Sequence, residues 1–222
     1  MELAPNLHAF LWTSSRANNC NTYLVRSTDK TILIDPGHVA HFDHVRQGLL
    51  QLGLSIDDLD LIICTHAHPD HLEAITLFGD TQALFTLHTE EWRLVQDMAA
   101  YLKSAMNFDP EQFTPDFFLK EGELTVGDIK LYVYHTPGHS PGSITLHWPA
   151  VEALFTGDVI FNNGLGRTDL PGGNGEQLKN SIRSISAIDA QWLLSGHGEP
   201  VSGADTVKDN FEQVARMWFP HI

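Results

Sequence analysis

Residues 65 to 71, "THAHPDH", place three histidines and an aspartate within six positions, directly after the apolar run "DLIIC" (60 to 64). No single regular element can aim His66, His68, Asp70 and His71 at one point. A strand that stops at Cys64 and a helix that starts near Asp70 would instead splay them around one loop. Pro69 holds that turn, and Asp70 also suits a helix N-terminus. Four side chains of metal-ligand type in one loop can serve two neighbouring cations, so this segment reads as more than half of a metal site.

Three later stretches have the same form, an apolar strand followed by small residues and then one ligand. They are "HTPGHSPGS" (135 to 143) with His139, "LFTGD" (154 to 158) with Asp158, and "LLSGHG" (193 to 198) with His197. Loops at strand ends, carried by a rigid sheet, are where sites are usually built. A carboxylate such as Asp158 has two oxygens and can bridge two ions, and imidazoles suit zinc, iron and related metals.

Around these loops the chain alternates short strands with helices. Strands are expected at 7 to 12, 21 to 27 and 30 to 37 as a β-meander, at 60 to 64 and at 83 to 87. Helices are expected at 39 to 52, briefly after His71, and at 89 to 106, where Trp92, Val95, Met98, Ala99 and Leu102 recur at helical spacing. The second half continues with strands in "ELTVGDIKLYVYHTPGH", "GSITLHW", "ALFTGD" and "WLLSGHG", and with helices at 175 to 188 and 205 to 218. This grammar implies sheets covered by helices on their outer faces, and 222 residues fit one domain spanning 1 to 222.

Thirteen Lys and Arg against twenty-eight Asp and Glu give a net charge of −15, which argues against a nucleic-acid partner. No apolar run approaches the ~18 residues of a membrane span, and the N-terminus has no leader pattern, so a cytoplasmic protein without a membrane partner is expected. A small-molecule substrate fits better, and an oligomer is open. Cys20 and Cys64 are too few for a disulfide framework and read as small buried hydrophobes.

The ordered set T-H-x-H-x-D-H, P-G-H, G-D and G-H resembles the metallo-β-lactamase fold superfamily over essentially the whole chain. The resemblance implies a four-layer αβ/βα sandwich of two mixed β-sheets with outer helices. It further implies that His66, His68 and His139 hold one metal, that Asp70, His71 and His197 hold a second, and that Asp158 bridges them. Asp35 in "LIDPG" then braces the histidine loop. Asp158 stands where the commonest β-lactamases carry Cys, which argues against that activity. "GLGRTDLPGGNGEQLKNSI" (164 to 182) is similar to glyoxalase II-like hydrolases and to their persulfide dioxygenase relatives. Only about 25 residues follow His197, with Lys208 and Arg216 as their basic residues, so the helical domain with which the longer glyoxalases grip glutathione is not expected.

These features imply two divalent ions, zinc or alternatively iron or manganese. A hydroxide between them would cleave a thioester, such as an acyl-glutathione, or a related ester or lactone, with Asp70 as the catalytic residue orienting it. A mononuclear iron persulfide dioxygenase using His66, His139 and Asp158, and a non-catalytic metal-binding module, are the alternatives. Arg167 suits a substrate carboxylate, or it braces its loop through Asp169. His38, His41 and His44 read as structural histidines on a solvated face, with a place at the pocket edge also open. The aromatic stretch from 106 to 118 reads as packing over a sheet edge, or as an apolar wall of the site.

Overall fold

Side-chain alternation along the strands sorts the core into three apolar layers. The computed structural model describes residues 1–105, 109–110 and 113–222. Its first sheet runs in sequence order: β1 (Glu2–Ala4), β2 (Leu7–Phe10), β3 (Thr22–Arg26), β4 (Thr31–Ile34), β5 (Leu61–Ile63), β6 (Leu84–His88) and β7 (Phe117–Leu119). Strands β1 to β4 pair antiparallel, and β4 to β7 pair parallel. Helices α1 (Asp43–Gln51), α2 (Pro69–Leu72), α3 (Thr89–Asp97) and α4 (Ala99–Ala105) connect them.

The second sheet is built from β8 (Gly122–Val126), β9 (Ile129–His135), β10 (Ile144–Trp148), β11 (Ala153–Gly157), β14 (Trp192–Ser195) and β15 (Val201–Ser202). Its strand order is β15-β14-β11-β10-β9-β8, with a parallel pair between β11 and β14. A small hairpin, β12 (Ile160–Phe161) with β13 (Gly164–Leu165), stands apart from both sheets. Helices α5 (Gly175–Ile185) and α6 (Ala204–Trp218) follow.

Period-two alternation sends neighbouring residues to opposite faces. On the first sheet, Tyr23, Val25, Ile32 and Ile34 turn inward to meet Leu131, Val133, Leu146 and Phe155 of the second. Leu24 and Leu33 turn outward to α1, α3 and α4 through Val45, Leu49, Val95 and Leu102. On the second sheet, Leu154 and Leu193 face outward to Leu178 and Ile182 of α5 and to Val207 and Phe211 of α6. Helix, sheet, sheet, helix is therefore the layer order, and the expected four-layer sandwich of two mixed sheets is what the chain forms.

Several expected elements differ in detail. The helix expected at 89 to 106 is broken at Met98, whose backbone leaves the helical region (φ −95°, ψ 2°). Because the apolar spacing continues across the break, periodicity alone reads one helix. The expected helix at 39 to 52 opens with a single 3₁₀ turn, Val39–His41, before α1. Phe117 and Phe118 lie in an edge strand, and Phe113 packs near Phe85 and Trp92, with ring centroids 6.0 and 6.1 Å apart. Phe108 and the last residue of the expected helix, 106, lie outside the described residues. Among the described residues, no helix is long and apolar enough to cross a membrane.

Candidate metal centre

Strand ends from both sheets deliver the cluster to one edge of the sandwich. His66 and His68 follow β5, and Asp70 and His71 sit in α2, which Pro69 opens at its first position. His139 lies between β9 and β10, Asp158 follows β11, and His197 follows β14. Backbone hydrogen bonds fasten the sheets together here, from Ile144 N to Thr65 O (2.9 Å) and from Asn21 N to Gly196 O (2.7 Å). Gly157 (φ +47°) permits the approach, because a Cβ there would stand 2.3 Å from Thr65 Oγ1.

All seven expected ligands converge. His66, His68 and His139 form one group, Asp70, His71 and His197 another, and His66, His71 and Asp158 a third between them; within each group the donor atoms lie within 4.8 Å of one another. Donors around one tetrahedral cation with bonds of about 2.1 Å stand roughly 3.4 Å apart. His71 Nε2 lies 3.4 Å from His197 Nε2 and 3.3 Å from Asp158 Oδ1. His197 Nε2 lies 3.4 Å from Asp70 Oδ2 and 3.3 Å from Asp158 Oδ2. Asp158 Oδ2 also lies 3.6 Å from His139 Nε2, which is 2.8 Å from His68 Nδ1. Asp158 thus presents one oxygen to His71 and the other to His139 and His197.

Two buried atoms of the cluster, His66 Nε2 and Asp158 Oδ1, have no hydrogen-bond partner. A buried polar group left unpaired costs about 1–3 kcal/mol, and coordination to a cation removes that cost. The residues therefore fit divalent metal. Charge agrees. Burial, and then the neighbouring imidazoles, push His66 well below the usual histidine range, and burial with His139 pushes His68 down to about 4. Burial also lowers His139. These three are neutral at pH 7, the form that binds metal. Burial would lower His71 and His197 too, but Asp158 with Asp35 raises His71 well above its ordinary range, and bonds to Asp158 and Asp70 raise His197 to about 9. Burial would likewise raise Asp70 and Asp158, yet the facing histidines hold both carboxyls well below the ordinary carboxylate range. The two carboxylates are therefore ionised, and a divalent cation can take the place of the protons that they hold on His71 and His197.

Asp35 supports the loop from β4. Its Oδ1 accepts from Thr65 N (2.7 Å), and its Oδ2 accepts from Thr65 Oγ1 (2.8 Å) and faces His71 Nδ1 (2.9 Å). It does so from a left-handed backbone (φ +55°), a conformation a non-glycine residue adopts only where its surroundings hold it there. Arg167 is not aimed at the metal ligands. Its Nε and Nη2 donate to both oxygens of Asp169 at 2.7 Å, while its carbonyl lies 2.8 Å from His139 Nδ1 and orients that ring. His38 Nδ1 lies 2.7 Å from Glu73 Oε2, and His44 Nδ1 lies 2.6 Å from His41 O, so these histidines serve local packing. Cys20 and Cys64 are fully buried, which pushes both thiols up.

Glu91 and Asn18 join the centre from outside the sequence motifs. Glu91, fully buried on α3, accepts Ala67 N at Oε2 (2.8 Å), and Ser140 Oγ (2.5 Å) and Gly142 N (2.6 Å) at Oε1. One carboxylate thereby ties the loop of His66 and His68 to the loop of His139. Its signal in the sequence is an acid at a core-facing position, in step with Val95, Met98 and Leu102. Asn18 Nδ2 donates to Asp70 Oδ2 at 2.7 Å; nothing in the sequence marks it.

A four-layer sandwich with a His- and Asp-lined centre at its edge defines a class of metal-binding αβ/βα proteins. The metallo-beta-lactamase superfamily matches residues 15–197, and the chain belongs to it. It is 33% identical to the probable metallo-hydrolase YqgX of Bacillus subtilis, over 80% of this chain and 84% of that protein. It is 32% identical to the hydroxyacylglutathione hydrolase GloC of Haemophilus influenzae, over 75% and 79% respectively. Among solved structures, TTHA1623 in a di-iron-bound form is 29% identical, with a TM-score of 0.70 over 82% of this chain and 89% of that one.

Proposed function

We propose that the chain is a dinuclear metallohydrolase that cleaves a thioester, in the manner of the glyoxalase II-like enzymes, or a related ester or lactone. The observation that carries this reading is the second donor group, Asp70, His71 and His197, beside the first and joined to it through Asp158, whose Oδ2 faces both His139 and His197 and whose Oδ1 faces His71. A mononuclear centre of His66, His139 and Asp158 would leave that group without a role. His66, His68 and His139 would hold one ion and Asp70, His71 and His197 the other. The imidazole-rich set suits zinc or iron, and the di-iron form of TTHA1623 and the name of GloC support the metal count and the substrate class.

Bound divalent ions supply Lewis acidity, lowering the pKa of a water to about 7 and polarising a carbonyl oxygen. The chain's own residues do the rest. Asp70, ionised and steadied by Asn18, orients the attacking water and takes up its hydrogen bond. Asp35 keeps the His71 ring turned with Nε2 toward the centre, and the Arg167 carbonyl does the same for His139. No serine or cysteine nucleophile is required.

The test is elemental analysis of protein purified without added metal or chelator, paired with turnover assays. About two ions per chain with thioester or lactone hydrolysis is the expected result. About one iron per chain with oxygen uptake on addition of a persulfide overturns it in favour of a dioxygenase; metal without either activity leaves a binding module.

A further inference from the structure

Beside the metal ligands opens a cavity of about 800 Å³, within the range of small-molecule sites. Its walls come from three places. Leu94 projects from α3, Leu102 from α4 and Met98 from the break between them, Leu165 from the β12–β13 hairpin, and Leu170 and Pro171 from the loop before α5. The break at Met98 has a use here: α3 and α4 both present apolar side chains to the same space. Polar lining is supplied chiefly by the metal cluster itself, through His68, Asp70, His139, Asp158 and His197. Asn18 is spent on Asp70. Among the described lining residues the one arginine or lysine is Arg167, and Asp169 already occupies both edges of its guanidinium; His197 is engaged by Asp70 and Asp158.

A glutathione leaving group carries two carboxylates and an ammonium, and this cavity offers them no uncommitted cation among the described residues. A chain with a net charge of −15 adds a repulsive field against an anionic ligand. The remaining wall rewards apolar surface. We infer that the cavity is an acyl-binding chamber, and that the substrate is a thioester, ester or lactone whose acyl part is an apolar chain of medium to long length. The inference rests on the hydrolase reading above and narrows its substrate class.

Two series on the metal-loaded full-length protein test it. In the first, kcat/KM is measured for N-acetylcysteamine thioesters of acyl chains from two to ten carbons, with lactoylglutathione alongside. In the second, calorimetry measures binding of the matching free carboxylates. Burying a methylene is worth ~0.8 kcal/mol, which converts to about fourfold per added carbon. We expect kcat/KM to climb at about that step until the chamber is full, decanoate to bind at least about tenfold tighter than butyrate, and the decanoyl thioester to surpass lactoylglutathione. Leu94→Asp and Leu170→Asp, lining residues on unrelated elements, flatten both series; thermal melts identify either variant if it fails to fold. Chain-length independence in both series, or preference for lactoylglutathione, overturns the chamber. Turnover with a flat binding series removes the chamber and keeps the hydrolase, whereas chain-length-dependent binding without turnover of any thioester removes the hydrolase and keeps the chamber.

Discussion

Glu91 carries an unusual load for one side chain. Its carboxylate accepts three hydrogen bonds from two loops that are more than seventy positions apart in the chain, one on either side of the ligands His68 and His139. Burial raises its pKa, and the bonds from Ser140, Gly142 and Ala67 oppose that rise. In Glu91→Gln the shape is nearly conserved, but the amide turns an NH₂ toward one loop's donor, leaving an unsatisfied buried pair that costs about 1–3 kcal/mol. We expect metal affinity to fall about 10–100-fold, the size found for residues that orient metal ligands. Chelator competition against the wild type checks this, and unchanged affinity would reduce Glu91 to a packing residue. Asp35→Asn should lower affinity by a similar factor, because the His71 ring then loses the carboxylate that turns it.

Two elements owe their placement to local chemistry that is open to test. Helix α3 is capped by His88, whose Nδ1 accepts from Glu90 N (3.2 Å) and whose ring stacks on His135 at 4.3 Å. Burial, and then the charge of His135, press His88 down to about 4 from an ordinary 6.5. As pH falls through 6.5 the unfolded chain takes up this proton before the folded one can. The contribution is therefore present above pH 6.5 and lost between about 6.5 and 4. His88→Asn keeps a cap without a titrating ring. The difference in denaturant midpoint between wild type and variant should shift in the variant's favour on going from pH 7 to pH 5. Strand β11 ends on Gly157, where an added methyl meets Thr65 and the backbone is left-handed. Gly157→Ala should cost about 2–4 kcal/mol, measured as a lowered denaturation midpoint, and should loosen the seam on which Asp158 depends.

For the molecule as a whole, metal held at the centre would fasten the two sheets together. Loops from β5 in the first sheet and from β9, β11 and β14 in the second converge at the centre, so ions that bind the folded chain stabilise it by linkage. At a hundredfold excess over Kd the gain is about 2.7 kcal/mol per site, and a chain of this size moves by about 2–4 °C per kcal/mol. Chelation should therefore lower Tm by several degrees, reversibly and with dependence on metal concentration. His197→Ala should retain only the share owed to His66, His68 and His139. A Tm insensitive to both treatments would mean that the loops are held by protein contacts alone.

What the chain determined by itself was local in origin. The four candidate ligands of residues 66 to 71 announce themselves because a strand end, a proline and a helix start lie within one short loop, and alternating apolar residues sort the strands into faces before any partner is present. His139, Asp158 and His197 share that legibility, each set in small residues behind an apolar strand. Tertiary structure alone decided which donors come together, since His71 and His197 are 126 positions apart yet stand 3.4 Å from one another. It decided that Glu91 braces two loops, that the guanidinium of Arg167 turns to Asp169, and that α3 breaks at Met98 to wall an apolar chamber. Periodicity and spacing encode which face a residue takes; who meets whom across the sandwich is set by the packing of whole layers, where the lowest free energy belongs to the assembly rather than to any segment of it.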